Sequence, residues 1–346
     1  FSLSFLSVLF SYICLKLRGK GGQYVGTLHL GNFTNNYFSD KIAQNISLFA
    51  SGAGIIVENA ILFNQVSEME QKIRNVFSKF VPPEIIDDMV SKQTTSSCLV
   101  GEKRRVVVLF SDIRSFTTIS ENNKAVDIVN FLNNYFQVMV SIIKKYGGTI
   151  DKFIGDAILA LFGAPKSYKD NAKRAVMASM EMIKALPKIN PGNLKLPSGG
   201  LQIGIGIHEG EVIVGNIGSQ EKFDYTVIGD TVNLASRLEG LTKPYKSPVI
   251  ISETVKAHVP TIPAREIDLV KVKGKVKPTS IYSVFLKKKE ITKPEFIKNY
   301  NKAMSMYKIK NWKTALEYFQ NVLKIMPNDY VSQMYIDRCN NFIKNP

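Results

Sequence analysis

Five consecutive apolar residues, Val106-Val107-Val108-Leu109-Phe110, run into Ser111-Asp112. Such a run suits a buried central strand of a sheet, so the chain around it must supply a layered α/β core. After a polar turn, Ala125 to Lys145 spaces Ile128, Val129, Leu132, Phe136, Met139, Val140 and Ile143 as one helical stripe, closed by Gly147-Gly148. Thr149 to Phe153 and Ala157 to Phe162 are apolar strands joined at Gly155-Asp156, a hairpin signal. Asn171 to Leu186 reads as a helix stopped by Pro187, and Pro187 to Gly200 as a loop. Leu201 to Ile207 and Glu211 to Gly215 then read as a second hairpin around His208-Glu209-Gly210. The order strand, helix, hairpin, helix, strand predicts an α/β (α+β) sandwich with helices on one mixed sheet.

The flanks differ in pattern. Ser11 to Lys16 and Tyr24 to Leu30 read as strands about a Gly19 to Gln23 turn. A helical pattern then runs from Asp40 through Val57 and Met69 toward Phe77. Pro82-Pro83 breaks it, Glu84 to Val90 restarts a short helix, and Ser91 to Ser97 is a polar linker. From Lys293 a helix-turn-helix pattern follows, with Ala303, Tyr307, Trp312, Ala315, Leu316, Phe319 and Leu323, then Pro327 and a further helix from Asp329. These segments bound four regions: 1–64, 65–97, 98–289 and 290–346.

A length of 346 residues with 45% hydrophobic and 21% charged residues is globular and long enough for two or three domains. The apolar stretch Phe1 to Cys14 is broken by serines and is shorter than the roughly 18 to 20 residues of a membrane span. No basic segment precedes it and no cleavage site follows, so a signal peptide is not expected. Starting at Phe1, the chain reads as a fragment, and membrane contact is expected only through residues upstream of it. Cys14, Cys98 and Cys339 lie far apart among three histidines, which argues against disulfides or zinc and for the cytoplasm. Net charge is +16, from 45 Lys plus Arg against 29 Asp plus Glu. The basic residues are scattered, without interleaved aromatics, so the charge predicts a polyanionic small substrate and no nucleic acid.

Three groups of residues can carry chemistry. Asp112, at the end of the apolar strand and before a helix, would point into the crevice where α/β sheets bind ligands; a helix N-cap is the alternative. Asp156 sits at the hairpin tip, where a neighbouring strand could carry it beside Asp112. Taken alone, it is a turn residue. Two convergent carboxylates with few histidines suit hard, oxygen-loving ions such as Mg²⁺ or Mn²⁺, a pair of which can clamp nucleotide phosphates. In Thr226-Val227-Ile228-Gly229-Asp230-Thr231-Val232-Asn233-Leu234-Ala235-Ser236-Arg237, Asp230 reads as a structural cap. Asn233 and Arg237 share one helical face, as they also would on a solvated helix.

These three segments, Leu109 to Thr117, Asp151 to Ala157 and Asp224 to Arg237, resemble in order and spacing the catalytic domain of class III adenylate cyclases. The likeness covers residues 100–286 and is nearest the bicarbonate-responsive group. The resemblance implies a ferredoxin-like catalytic fold converting ATP to 3′,5′-cyclic AMP and pyrophosphate with two Mg²⁺ or Mn²⁺ ions at a homodimer interface. Asp112 and Asp156 would be the metal aspartates, with the Ile113 carbonyl as a further ligand. Lys152, where guanylate cyclases carry Glu, and Thr226 would read adenine. Asn233 and Arg237 would orient the ribose and stabilise the transition state. Lys273, in Lys271-Val272-Lys273-Gly274-Lys275, would bind triphosphate. Near Gln220-Glu221-Lys222, where some members carry a phosphate-binding Arg, this chain has Glu221 and Lys222.

Gly26-Thr27-Leu28-His29-Leu30-Gly31-Asn32 and Val57-Glu58-Asn59-Ala60 resemble the C-terminal half of a GAF sensor domain, an α/β fold. Residues 290–346 resemble an all-α tetratricopeptide unit. One such repeat should pack on its neighbour or on a protein partner. A guanylate cyclase and a non-catalytic cyclase-like signalling module are the competing readings.

Overall fold

The structure is a computed structural model. It describes residues 11–78, 81–91, 101–219, 223–270, 278–286 and 294–344. The chain divides into two compact units, with the break between Ile86 and Asp87.

In the first unit, β1 (Ser11–Arg18) and β2 (Tyr24–Asn32) pair antiparallel, and α1 spans Asp40–Phe77 without interruption. The hairpin holds the helix through Glu58, which accepts the Lys20 N–H at 2.7 Å and a hydrogen from Gln23 Nε2. Gly54 allows this approach, because a Cβ there would lie 2.2 Å from the Arg18 carbonyl oxygen. By length and composition α1 could cross a membrane: its best 18-residue window has mean hydropathy 1.7 and is 11% buried. Leu48, Phe49, Ile56, Phe63 and Val66 of α1 are exposed. A short helix, α2 (Pro83–Ser91), follows and contains the break between the units.

The second unit is built on one eight-stranded sheet. Its core runs β3 (Gly101–Ile113), α3 (Phe116–Glu121), α4 (Ala125–Lys145), β4 (Thr149–Ile154), β5 (Ala157–Phe162), α5 (Asn171–Ala185) and β6 (Ile203–Gly218). The sheet order β4-β5-β3-β6, antiparallel throughout, is a split βαβ arrangement, within the mixed α/β class expected from the sequence. The apolar run of β3 alternates between two cores. Val107 and Leu109 join Tyr135, Met139, Ile143, Val176 and Met182 of α4 and α5, whereas Val106 and Val108 face Val212, Val227 and Ala235.

The second hairpin expected at His208 does not form. Residues 203–218 are a single strand, paired without interruption to β3 from Gly101↔Gly215 to Ile113↔Ile203. His208 is buried, with Nδ1 2.9 Å from Ser252 Oγ. Asp112 therefore lies within β3, opposite Gly204, rather than after the strand.

Beyond β6 come β7 (Phe223–Ile228), α6 (Asp230–Leu241), β8 (Val249–Ser252), α7 (Glu253–His258), β9 (Ala264–Val270) and β10 (Thr279–Val284). β7 and β8 both pair with β6 at separate stretches, β8 in parallel. β9 ends the sheet. Three helices follow: α8 (Pro294–Lys308), α9 (Trp312–Ile325) and α10 (Tyr330–Lys344). They pack on the same unit. Phe296, Tyr300, Phe319 and Tyr335 share a core with Leu234 and Leu238 of α6 and Ile267 of β9.

Candidate active site

Both metal-ligand candidates converge on one backbone amide. The Ile113 N–H donates to Asp112 Oδ1 at 3.0 Å and to Asp156 Oδ2 at 3.2 Å. β3 delivers Asp112 and Ile113 from the sheet centre. The β4–β5 turn, with Gly155 in the left-handed region at φ 63°, delivers Asp156 from the adjacent strand. Burial pushes the Asp156 carboxyl up to about 7, and the hydrogen bond and negative charge of Asp112 add to the shift. Two acids this close resist ionising together unless a cation joins them. Among the described residues no cluster of three His, Cys, Asp or Glu side chains forms. The donor set on offer is two carboxylates and main-chain oxygen, which fits a hard divalent ion and not zinc.

A second cluster gathers Lys152 and Thr226. Thr226 Oγ1 donates to Asp151 Oδ2 at 3.0 Å, and Lys152 Nζ stands 3.5 Å from the same oxygen. The Asp151 side chain is fully buried, and burial holds its carboxyl above the ordinary value although Thr226 and Lys152 offset part of the shift. Asp151 had no role in the sequence reading. Its position comes from a bulge: β4 pairs Ile150 with Ala160 and Lys152 with Leu159, leaving Asp151 as the extra residue. A bulge has no signature in a short apolar strand, although an acid inside one is itself a signal.

α6 displays Asn233 and Arg237 on its exposed side and buries Leu234, Ala235 and Leu238 on the other. β7, carrying Thr226, leads directly into this helix. Gly229 is the N-cap and Asp230 the first helical residue, one position from the cap role expected. Thr231 Oγ1 donates to the Glu211 carbonyl at 2.8 Å, fixing the helix start on β6. Lys273, like Glu221 and Lys222, lies outside the described residues.

Sequence reasoning also missed Arg114 and Glu239, which pair at 3.3 Å between the end of β3 and α6. They are 125 positions apart, so no local pattern links them.

Residues 100–288 match the family described as the adenylate and guanylate cyclase catalytic domain. The chain belongs to that family, and its second unit is a mixed α/β cyclase catalytic domain. Among its relatives is the terminal-differentiation specific adenylate cyclase of Dictyostelium discoideum, 36% identical over 284 residues, 79% of this chain and 13% of that protein. Another is an adenylate cyclase of Anabaena cylindrica, 40% identical over 236 residues, 65% of this chain and 45% of that protein. A bacterial light-regulated adenylyl cyclase of known structure is similar at 26% identity with a TM-score of 0.53, over 72% of this chain and 65% of that one. The chain thus spans less than half the length of either curated relative.

Proposed function

We propose that this chain is an adenylate cyclase, converting ATP to 3′,5′-cyclic AMP and pyrophosphate. The observation that carries the reading is the meeting of Asp112 and Asp156 on the Ile113 amide. Those carboxylates and the Ile113 carbonyl would hold Mg²⁺ or Mn²⁺, two ions per site. When bound, they would make the ribose 3′-hydroxyl more acidic and neutralise the phosphates.

The remaining work falls to this chain's own side chains. Lys152 and Thr226, gathered by Asp151, donate to and accept from the adenine edge. Asn233 orients the ribose so that the 3′-oxygen faces the α-phosphorus in line with the departing pyrophosphate. As the new P–O bond forms and the bond to pyrophosphate breaks, the Arg237 guanidinium opposes the charge on the phosphoryl oxygens. Lys273 is our candidate for the triphosphate contact.

We read the site as shared between two copies of the chain, the metal aspartates from one and Lys152, Thr226, Asn233 and Arg237 from the other. The exposed setting of Asn233 and Arg237 supports that arrangement. Residues 1–64 fit the C-terminal half of a GAF-like sensor and 65–97 a connector. The 290–346 helices fit a tetratricopeptide-like unit open to a protein partner. We place the catalytic unit in the cytoplasm, within a signal-transduction protein.

The test is turnover of ATP against GTP by the full chain with Mn²⁺. Cyclic AMP formed in preference to cyclic GMP supports the reading, preferential cyclic GMP makes the protein a guanylate cyclase, and neither product makes it a non-catalytic module. Mixing Asp112→Ala and Asn233→Ala chains, each inactive, should restore activity through one intact hybrid site. A dead mixture of folded dimers would refute the shared site.

A further inference from the structure

Two poorly exposed charges meet between the elements that carry the two halves of the site. Arg114 lies two residues beyond Asp112, and Glu239 two residues beyond Arg237 on α6. Their side chains are 22% and 9% exposed, with Nη1 3.3 Å from Oε1. The Arg114 main chain is fixed separately, its N–H donating to the Gln202 carbonyl at 2.8 Å. Thr242 Oγ1 stands 3.5 Å from the same Glu239 oxygen.

All three groups close over Gly204, the register partner of Asp112. A Cβ at Gly204 would fall 2.3 Å from Glu239 Oε1 and from Thr242 Oγ1, and 2.4 Å from Arg114 Nη2. The sheet thus lacks a side chain beside the candidate metal ligand, and an ion pair fills the space. Desolvation offsets most of the attraction in such a pair, so stability is a poor reason for it, whereas fixed geometry is a good one.

We propose that Arg114 and Glu239 are a positioning pair that locks the metal-holding end of β3 to α6. The proposal rests on the shared-site reading. There, Asp112 of a chain serves one site while Asn233 and Arg237 of the same chain serve the other. The pair is then a direct side-chain link between the two sites of a dimer. A displacement of β3 in one site is passed to the ribose-orienting helix of its twin.

The full chain with Glu239→Gln or Arg114→Met should lose about tenfold in kcat while KM for ATP changes less than about twofold, since neither group touches nucleotide. The double variant should be no slower than the worse single one. Without nucleotide, the Mn²⁺ concentration giving half of the metal-induced rise in Tm should increase about fivefold in either single variant.

Hybrid dimers locate the effect. In a mixture of Asp112→Ala and Asn233→Ala chains, one intact site takes its aspartates from one chain and its asparagine from the other. Adding Glu239→Gln to either chain should slow that site by about threefold or more. Slowing from one chain alone would overturn the link between sites. Slowing from neither, with an unchanged Mn²⁺ midpoint, would overturn the pair itself. If the chain turned over neither ATP nor GTP, the cyclase reading would fail and the Mn²⁺ midpoint would still decide the pair. Should Glu239→Gln lower the metal-free Tm by more than a few degrees, Arg114→Lys decides. Recovery of at least half the wild-type kcat supports positioning through charge, and no recovery overturns it.

Discussion

Thr226 and Lys152, which come from different strands, meet the same buried oxygen of Asp151, at 3.0 Å and 3.5 Å. The other oxygen of that carboxylate has no hydrogen-bond partner among the described residues. The acid therefore holds both base-reading candidates through one atom. Asp151→Asn keeps an acceptor for Thr226 but removes the negative charge beside Lys152. KM for ATP should rise about fivefold, equivalent to roughly 1 kcal/mol, with a smaller change in kcat. Steady-state kinetics of the variant check this, and an unchanged KM would show that Asp151 does not orient Lys152.

The raised Asp156 carboxyl sets a pH dependence for the metal-free protein. Its folded pKa, about 7, lies above the unfolded value, so the folded state binds the proton more tightly. That contribution is complete below about pH 4 and is lost as pH rises through about 7. At pH 8 the carboxylate is a cost, and Asp156→Asn should stabilise the metal-free chain. After discounting for solvent screening the gain is about 1 to 2 kcal/mol. The same variant should lose the Mn²⁺-induced rise in Tm. Melting curves at pH 5 and pH 8 with and without Mn²⁺ measure both effects, and a variant less stable than wild type at pH 8 would contradict the account.

Much of this site was legible in sequence because its parts are local. The α4 stripe fixed the helix at Ala125–Lys145, and the Gly155-Asp156 turn set Asp156 at the tip of a hairpin. What failed was long-range. His208-Glu209-Gly210 has the composition of a turn, yet glycines in β6 are seats for α6. A Cβ at Gly210 would meet Thr231 Oγ1 at 2.5 Å. The Asp151 bulge and the Arg114–Glu239 pair likewise depend on partners distant in sequence, to which periodicity is blind. For the C-terminal helices, periodicity gave the helices and the need for a packing surface, and the sheet edge supplies that surface.

That surface makes the tail part of the catalytic unit's stability. Arg265 of β9 grips Asp329 with two hydrogen bonds, at 2.8 and 2.6 Å, and stacks on Tyr300 with its guanidinium 4.7 Å from the ring centre. Tyr300 and Tyr335 donate to the Glu266 and Ile267 carbonyls at 2.9 and 2.8 Å, tying the helices to the edge strand. Burial would raise the Asp329 carboxyl, but Arg265 and Ser332 outweigh it and hold it below the ordinary value. Its stabilisation is therefore present above about pH 4 and fades as pH falls below that. Asp329→Asn strands the Arg265 charge and should cost about 3 kcal/mol at pH 7, with a smaller penalty near pH 3. A fragment ending at residue 289 would uncover Leu234, Leu238 and Ile267. It should aggregate or melt well below the full chain in differential scanning calorimetry, and a fragment as stable as the whole would refute the buttress.

Gly206 tests how tightly the sheet dictates the position of Asn233 and Arg237. In β6 it faces α6 so closely that a Cβ would sit 2.2 Å from the Ala235 carbonyl oxygen, 2.2 Å from the Glu239 nitrogen and 2.8 Å from the Leu238 carbonyl carbon. All three are backbone atoms of the helix, so no side chain can rotate away and the whole of α6 must move. Overpacking of this kind costs about 1 to 3 kcal/mol, and backbone contacts place Gly206→Ala at the upper end. Because the displaced helix carries Asn233 and Arg237, kcat should fall at least about tenfold even at temperatures where the variant is folded. Lys152 and Thr226 lie on β4 and β7, outside α6, so KM for ATP should change far less. A folded Gly206→Ala protein with wild-type kcat would mean that α6 has more freedom than its seat on β6 implies.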